Sequence, residues 1–416
     1  MESVERGLIA SAIAEKDFGK VLDAKITSDH FINDDDHRVF EWARDYWMRY
    51  NTTPTANAVR LAFPNYTLRR VDDPVDFYID SLHELHRSRM LSVMLAEVVD
   101  AHESSEDANE ALRVASNWVQ KIHEATPMST DRDMREDWQE RLEYYDFLRE
   151  HKDELIGIPT SFPTIDEATN GIQPEQMVVL IGQQKAGKSW IMMQTAKAAH
   201  ESNRRVMFVS FEMTTQEQAM RLDCMMAELD ASAVRAGKIT DRERRRLETV
   251  MKRWEDPNRV PFIFSTDISR SITVSGLAAK IEEHKPDVVF IDGAYMMQDE
   301  SSRNDDGDAQ KLTHISRGLK RLAQQQKVAI ILSTQALGWK TRRGGKLDAN
   351  SAGYTSAWGQ DADVMFGVEK DENDDERLIL RTLLSRNSYP RDVDLRVDWT
   401  RSLIEEEGEH FDDDPE

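Results

Sequence analysis

Gln176-Met-Val-Val-Leu-Ile-Gly-Gln-Gln-Lys-Ala-Gly-Lys-Ser189 is the stretch from which the rest of the chain can be read. Met177 to Ile181 is an unbroken apolar run, the pattern of a strand buried on both faces of a parallel sheet. Gly182, Gly187, Lys188 and Ser189 then match G-x-x-x-x-G-K-[ST] without a gap. Trp190 to His200 follows as a helix pattern free of Pro and Gly. Strand, glycine loop and helix in that order make a phosphate cradle. The N–H groups of Gln183, Gln184, Lys185 and Ala186 curl around a triphosphate, and the helix opening at Trp190 adds its positive dipole end. Lys188 falls against the β- and γ-phosphates and the Ser189 hydroxyl on Mg²⁺. A nucleoside triphosphate is the expected ligand.

Composition bounds the rest. A chain of 416 residues is long enough for two or three domains. Its 77 acidic and 54 basic residues give a net charge of −23, which argues against non-specific coating of duplex DNA. A local basic channel is still compatible, because affinity follows the local field. Cys224 is the single cysteine, which excludes an intrachain disulfide framework and a cysteine zinc cluster. No apolar run reaches the length of a membrane span, and residues 1–16 lack a signal-peptide pattern. The expected location is the cytoplasm, or the host cytoplasm for a phage-encoded chain.

Outward from the loop, residues 1–125 read as an all-helical N-terminal domain. Asn33 caps a helix that places Val39, Phe40, Ala43, Tyr46, Trp47 and Tyr50 on one face. Two longer helices are expected over 75–101 and 106–124. His37, His83, His86 and His102 are scattered, as surface or packing histidines are. Residues 126–155 form a linker carrying an amphipathic helix, about 134–152, striped by Met134, Trp138, Leu142 and Tyr145. That stripe either packs on its own chain or docks on a neighbouring subunit. From 156 to 403 strand and helix patterns alternate, the mark of an α/β domain with a mostly parallel sheet. Strands are expected at 177–182, 206–211, 260–265, 287–292 and 328–333, with antiparallel pairs over 364–368, 378–384 and 394–400. Residues 404–416 read as an acidic disordered tail.

Strand ends carry the remaining chemistry, because ligands of open α/β sheets gather at the carboxyl ends of the strands. Asp292 closes an apolar strand and suits the Mg²⁺ shell. Glu212 follows another and suits the base that orients and deprotonates the attacking water. Ser333-Thr-Gln335 ends a third, where Thr334 or Gln335 would sense the γ-phosphate.

Ile158-Pro-Thr-Ser-Phe-Pro-Thr-Ile-Asp-Glu-Ala-Thr-Asn-Gly-Ile-Gln-Pro174 resembles the entry segment of bacterial and phage replicative DNA helicases, the DnaB family of RecA-like ring helicases. Ser210-Phe-Glu-Met213, Ile291-Asp-Gly-Ala-Tyr295, Ile315-Ser-Arg-Gly-Leu-Lys-Arg-Leu322, Gln360-Asp-Ala-Asp363 and Arg386-Asn387 continue the resemblance in the family's order. Residues 1–125 are similar to its helical N-terminal domain around Ile26-Thr-Ser-Asp-His-Phe-Ile32 and Arg38-Val-Phe40. The resemblance implies a RecA-like ATPase domain, ATP and Mg²⁺, and a homo-hexamer translocating 5′ to 3′ on single-stranded DNA. It also implies primase and helicase-loader partners, a docked linker helix, and Arg386 as a finger reaching a neighbour's γ-phosphate. Three positions depart from the family. Leu384-Ser-Arg386 stands for Lys-x-Arg, Ser-Thr-Gln for Ser-Gln, and Gly353-Tyr354 for an Arg-Glu pair in a DNA-contacting loop.

A separate DNA signal lies in Gly338-Trp-Lys-Thr-Arg-Arg-Gly-Gly-Lys346. Lys340, Arg342, Arg343 and Lys346 concentrate positive charge in a glycine-bearing loop, suited to phosphates. Trp339 either stacks on a base or anchors the loop. Arginines on 241–254 are interleaved with Glu243 and Glu248, the pattern of a solvated face. Two rival readings stay open: a RecA-type recombination ATPase forming filaments, and a non-translocating ATPase switch.

Overall fold

A computed structural model of the chain describes residues 4–105, 108–125, 134, 138–152, 154–266, 272–300, 307–336, 347, 356–371, 373–387 and 391–407. The chain divides into two compact units, residues 1–131 and 132–416.

The first unit is helical. The helix Asp34–Tyr50 starts where the Asn33 side chain accepts from the Asp35 and Asp36 N–H groups at 3.0 and 3.1 Å. Val39, Phe40 and Ala43 of its apolar face are buried, whereas Tyr50 is exposed. The helices Val75–Ser105 and Ala108–Ala125 are the two long ones expected. Leu8, Ile9, Phe18, Phe40 and Leu82 pack the core around two buried carboxylates. Asp36 accepts from Arg6 at 2.9 Å and Tyr66 at 2.7 Å. Burial opposes ionisation of Glu5, yet the N–H groups of Asn33 and Ile32 and the Arg89 guanidinium hold it below the usual carboxylate range.

Two of the histidines expected to be scattered, His83 and His86, pack around His30. His30 stacks on His86 at 4.2 Å between ring centroids and meets His83 edge-on at 5.2 Å. Burial, with His86 and His83 adding like charge, pushes His30 down to about 4. Its Nδ1 accepts from the Thr27 N–H, and its buried Nε2 has no hydrogen-bond partner. Between pH 6.5 and 4 the unfolded chain therefore binds a proton at His30 that the folded chain refuses. Stability that is complete above that window is lost as pH falls through it, by about 3 kcal/mol at its lower end. His30→Asn, which keeps an acceptor for Thr27, is expected to lose correspondingly less stability between about pH 7 and about pH 4.5. Denaturant titrations of the full chain at both values measure this. An unchanged pH dependence would remove His30 from the account.

Nine strands of the second unit form one sheet among the described residues: β1 Met177–Gly182, β2 Val206–Ser210, β3 Phe262–Thr266, β4 Val288–Asp292, β5 Ala329–Gln335, β6 Val364–Lys370, β7 Arg377–Ser385, β8 Val393–Asp398 and β9 Leu403–Glu406. The order is β3-β2-β4-β5-β1-β6-β7-β8-β9. Pairings from β3 through to β6 are parallel, and those from β6 to β9 are antiparallel. The expected antiparallel set is thus grafted onto the parallel one, with β6 belonging to both. β1 is central and buried throughout. Val178 and Leu180 enter the core on one face, and Met177, Val179 and Ile181 enter the core on the other.

The acidic tail expected from 404 does not begin there. Leu403–Glu406 pairs with β8, and buried Ile404 faces Val397 in register. Glu406 accepts from the Thr164 N–H at 3.1 Å and from its hydroxyl, in the first turn of the helix Pro163–Thr169. A carboxylate at a helix N-terminus is favourable, so this acidic residue is structural. Among the described residues the linker helix is Trp138–Glu150, with Met134 outside it. None of its residues is buried, and Trp138, Leu142 and Tyr145 are exposed.

Candidate nucleotide site

Gly182 ends β1 and the helix Lys188–Glu201 opens six residues later. A Cβ on Gly182 would come within 2.7 Å of the Val368 carbonyl oxygen, so the loop leaves the sheet only through a glycine. Gly187 caps the helix at φ +97, a conformation that side chains resist. Gln183, Gln184 and Lys185 are exposed around the turn, Ala186 is buried beneath it, and Gly187, Lys188, Ser189 and Trp190 are half-buried. Lys188 Nζ donates to the Gly182 and Gln183 carbonyls at 3.0 and 2.8 Å. Burial lowers its pKa, and the negative charges of Asp292 and Glu212 oppose that shift.

The neighbouring strand ends converge here because β1, β2, β4 and β5 run parallel. Gln335 of β5 pairs with Gly182, and Ser210 of β2 pairs with Asp292 of β4. Asp292 is 2% exposed, and burial raises its pKa against the hydroxyls of Ser189 and Ser333. Its Oδ1 accepts from Ser333 at 2.8 Å, while Oδ2 is shielded from solvent with no hydrogen-bond partner. A buried carboxylate oxygen left over in this way fits a magnesium shell, which takes one or two carboxylates and completes itself with phosphate oxygens and water. Ser189 would supply the hydroxyl of such a set.

Glu212 lies two residues beyond β2. Its backbone N–H and that of Met213 donate to the Ser210 hydroxyl at 3.2 and 3.0 Å. Its Oε1 accepts from the Tyr295 hydroxyl at 2.6 Å, and Gln335 Nε2 donates to that same hydroxyl at 2.7 Å. Strand alternation separates Thr334 from Gln335. Ser333 and Gln335 share the face toward β4's end, whereas Thr334 is fully buried on the other, its hydroxyl without a hydrogen-bond partner.

Arg221 was among the residues missed by motif reading. Arg221, within the helix Thr215–Ala227, lays its guanidinium 4.5 Å over the Trp190 ring, and its Nη1 is buried with no hydrogen-bond partner. Burial depresses its pKa, and the attraction of Asp292 opposes this. An arginine over the residue that follows Ser189 was the available signal, and it needs the fold to be seen.

Arg386 is not brought to this site. The register Val178–Val364–Ser385 puts it at the opposite end of the sheet from Gly182. Four residues of β1 separate those levels, about 13 Å of strand. There its backbone N–H donates to the Asp363 carbonyl at 3.0 Å, its Nη2 donates to the Gln360 carbonyl at 2.8 Å, and Nη1 stands 3.6 Å from the Asp363 carboxylate. Asp363 also accepts from the Met177 N–H at 2.8 Å and from Lys320 at 2.7 Å. Lys340, Arg342, Arg343, Lys346 and the Gly353-Tyr354 pair lie outside the described residues. Ala336, the last described residue before that segment, donates its N–H to the Gly182 carbonyl at 3.0 Å.

A family model described as the DnaB-like helicase C-terminal domain matches residues 157–387, more than half of the chain. The chain belongs to that family. This DnaB-like chain is 23% identical over 290 residues to the replicative DNA helicase DnaB of Geobacillus stearothermophilus, covering 68% of itself and 63% of that relative. It is 30% identical over 228 residues to the DnaB helicase of Leifsonia xyli subsp. xyli, covering 53% of itself and 48% of that relative. It thus spans less than two thirds of the length of the curated relatives it matches. In fold it is similar to a solved DnaB-like replicative helicase studied for its interactions with primase, with TM-score 0.63, 15% identity, 97% of this chain and 99% of the other. A second solved structure, an isolated ATPase domain, matches 66% of this chain and 99% of its own length at TM-score 0.60 and 18% identity. The RecA-like ATPase fold preceded by a helical region is therefore shared with the DnaB-like helicases. Among the described residues no helix is long and apolar enough to cross a membrane.

Proposed function

We propose that this DnaB-like chain is an ATP-dependent replicative DNA helicase, a cytoplasmic homo-hexamer that moves 5′ to 3′ along single-stranded DNA. The observation that carries the reading is the split site: a phosphate loop, metal carboxylate and base at one end of the sheet, and Arg386 held at the other. An ATPase so built is completed by a neighbour, as a closed ring provides. Lys188 and Arg221 neutralise phosphate charge, and Ser189 and Asp292 would hold Mg²⁺, which would offset negative charge on the triphosphate. Glu212 takes a proton from water as the water oxygen bonds to the γ-phosphorus and the bond to the ADP oxygen breaks. Gln335 contacts the γ-phosphate. The exposed stripe of the linker helix is the surface that docks on the adjacent subunit, and primase and a loader are the partners expected of such relatives.

The test is strand-displacement unwinding of a forked substrate with ATP, combined with images of the particle on DNA. Six-fold rings that unwind only forks with a free 5′ arm support the reading. Open filaments, or a DNA-indifferent oligomer, would replace it. Within this reading Lys340, Arg342, Arg343 and Lys346 contact DNA phosphates. Changing all four to Ala is expected to weaken single-strand binding and flatten its salt dependence, by about 0.7 in log–log slope for each phosphate no longer neutralised. Fluorescence anisotropy across a salt series measures this, and an unchanged slope takes the loop off the DNA.

A further inference from the structure

We infer that Tyr295 is a positioning residue for the Glu212 base, and that Gln335, by donating to the Tyr295 oxygen, ties that base to the sensor end of β5. The inference rests on the assignment of Glu212 as base and goes beyond it. Tyr295 lies in the single 3₁₀ turn Ala294–Met296, immediately after the strand that ends in Asp292. One strand end thus carries both the metal carboxylate and the anchor of the base.

The direction of the chain of hydrogen bonds is fixed by chemistry. An ionised carboxylate only accepts, so the one phenolic proton goes to Glu212 Oε1 at 2.6 Å. The oxygen of Tyr295 must then accept from the Gln335 amide at 2.7 Å, which orients that amide with its nitrogen toward the phenol. Burial and the Glu212 charge both raise the Tyr295 pKa, so the proton stays on the phenol wherever the enzyme works.

The consequence for the base is geometric. Glu212 is exposed, and an exposed glutamate has three torsions to sample. Tyr295 is half-buried, has two torsions, and is gripped from β5. With Oε1 held by the phenol, Oε2 is the oxygen left to meet water. Gln335 is the register partner of Gly182 at the root of the phosphate loop, so a side chain that contacts phosphate also holds the base's anchor. Occupancy of the γ-phosphate position and placement of the base are thereby linked through one phenolic oxygen.

The experiment is a double-mutant cycle on full-length protein with single-stranded DNA: Tyr295→Phe, Glu212→Gln, and both. Tyr295→Phe keeps the ring and is expected to lower kcat by roughly tenfold to a hundredfold, with KM for ATP and the Kd of a fluorescent ATP analogue unchanged within about twofold. In the Glu212→Gln background the same change is expected to lower kcat no further, because the phenol acts only through the carboxylate. Parent kcat in Tyr295→Phe overturns the inference, as does a KM rise that accounts for the loss, or a drop in the double mutant as large as in the parent. Parent activity in Glu212→Gln alone overturns the base assignment instead, and is distinguishable because it appears without any change at Tyr295.

Discussion

Arg386→Ala protein is expected to assemble, bind ATP and hydrolyse it about 10³–10⁵-fold more slowly, the range over which trans-acting arginines contribute. The reasoning is topological. The guanidinium sits beside the start of β1, and the phosphate loop lies past its end, so no rotamer brings Arg386 to its own chain's γ-phosphate. Its side chain is half exposed, and a planar donor fork suits phosphate oxygens. The family's second basic position is Leu384 here, so that position does not share the load. Mixing Arg386→Ala with Lys188→Ala subunits at fixed total protein is the decisive measurement. Interfaces that pair an intact loop with an intact arginine should restore part of the hydrolysis. Verified mixed assemblies no more active than the two parents would remove Arg386 from the reaction.

Glu212→Gln is expected to retain ATP binding and lose hydrolysis by about 10²–10⁴-fold, the usual contribution of a general base. The amide is nearly isosteric and still accepts from Tyr295, so the anchor survives while the proton acceptor is gone. Lys188→Ala is the matched control, because it removes the phosphate-facing ammonium and with it binding. Equilibrium binding of an ATP analogue beside single-turnover hydrolysis separates the two. Hydrolysis at the parent rate in Glu212→Gln would send the search for the base elsewhere.

The parts of this molecule that were legible from sequence are those whose chemistry is local. A five-residue apolar run followed by Gly182, Gly187, Lys188 and Ser189 is readable because strand, turn and helix demands fall on adjacent positions. The strand ends at Asp292 and at Ser333-Thr-Gln335 were readable because those strands are apolar enough to show where they stop, while the choice between Thr334 and Gln335 was not. β9 was not, since Leu403 and Ile404 are followed by Glu405 and Glu406, and such charge signals a tail until Thr164 is known to face it. The His30 cluster depends on contacts across more than fifty residues of chain, which no period reveals. Arg221 and Tyr295 belong with it: ordinary residues in a helix and a turn, given roles by what packs against them.

Asp363 has a mechanical meaning. Its side chain grips the first N–H of the phosphate-loop strand, its backbone carbonyl grips the arginine-bearing strand, and Lys320 pins it from the side. The loop-bearing and arginine-bearing ends of one subunit are thus clamped to a common strut, β1. In the proposed ring each subunit is then a stiff link between consecutive sites. In that proposal a displacement at one joint would be passed to the next by the whole link, as a rod passes motion between two pivots.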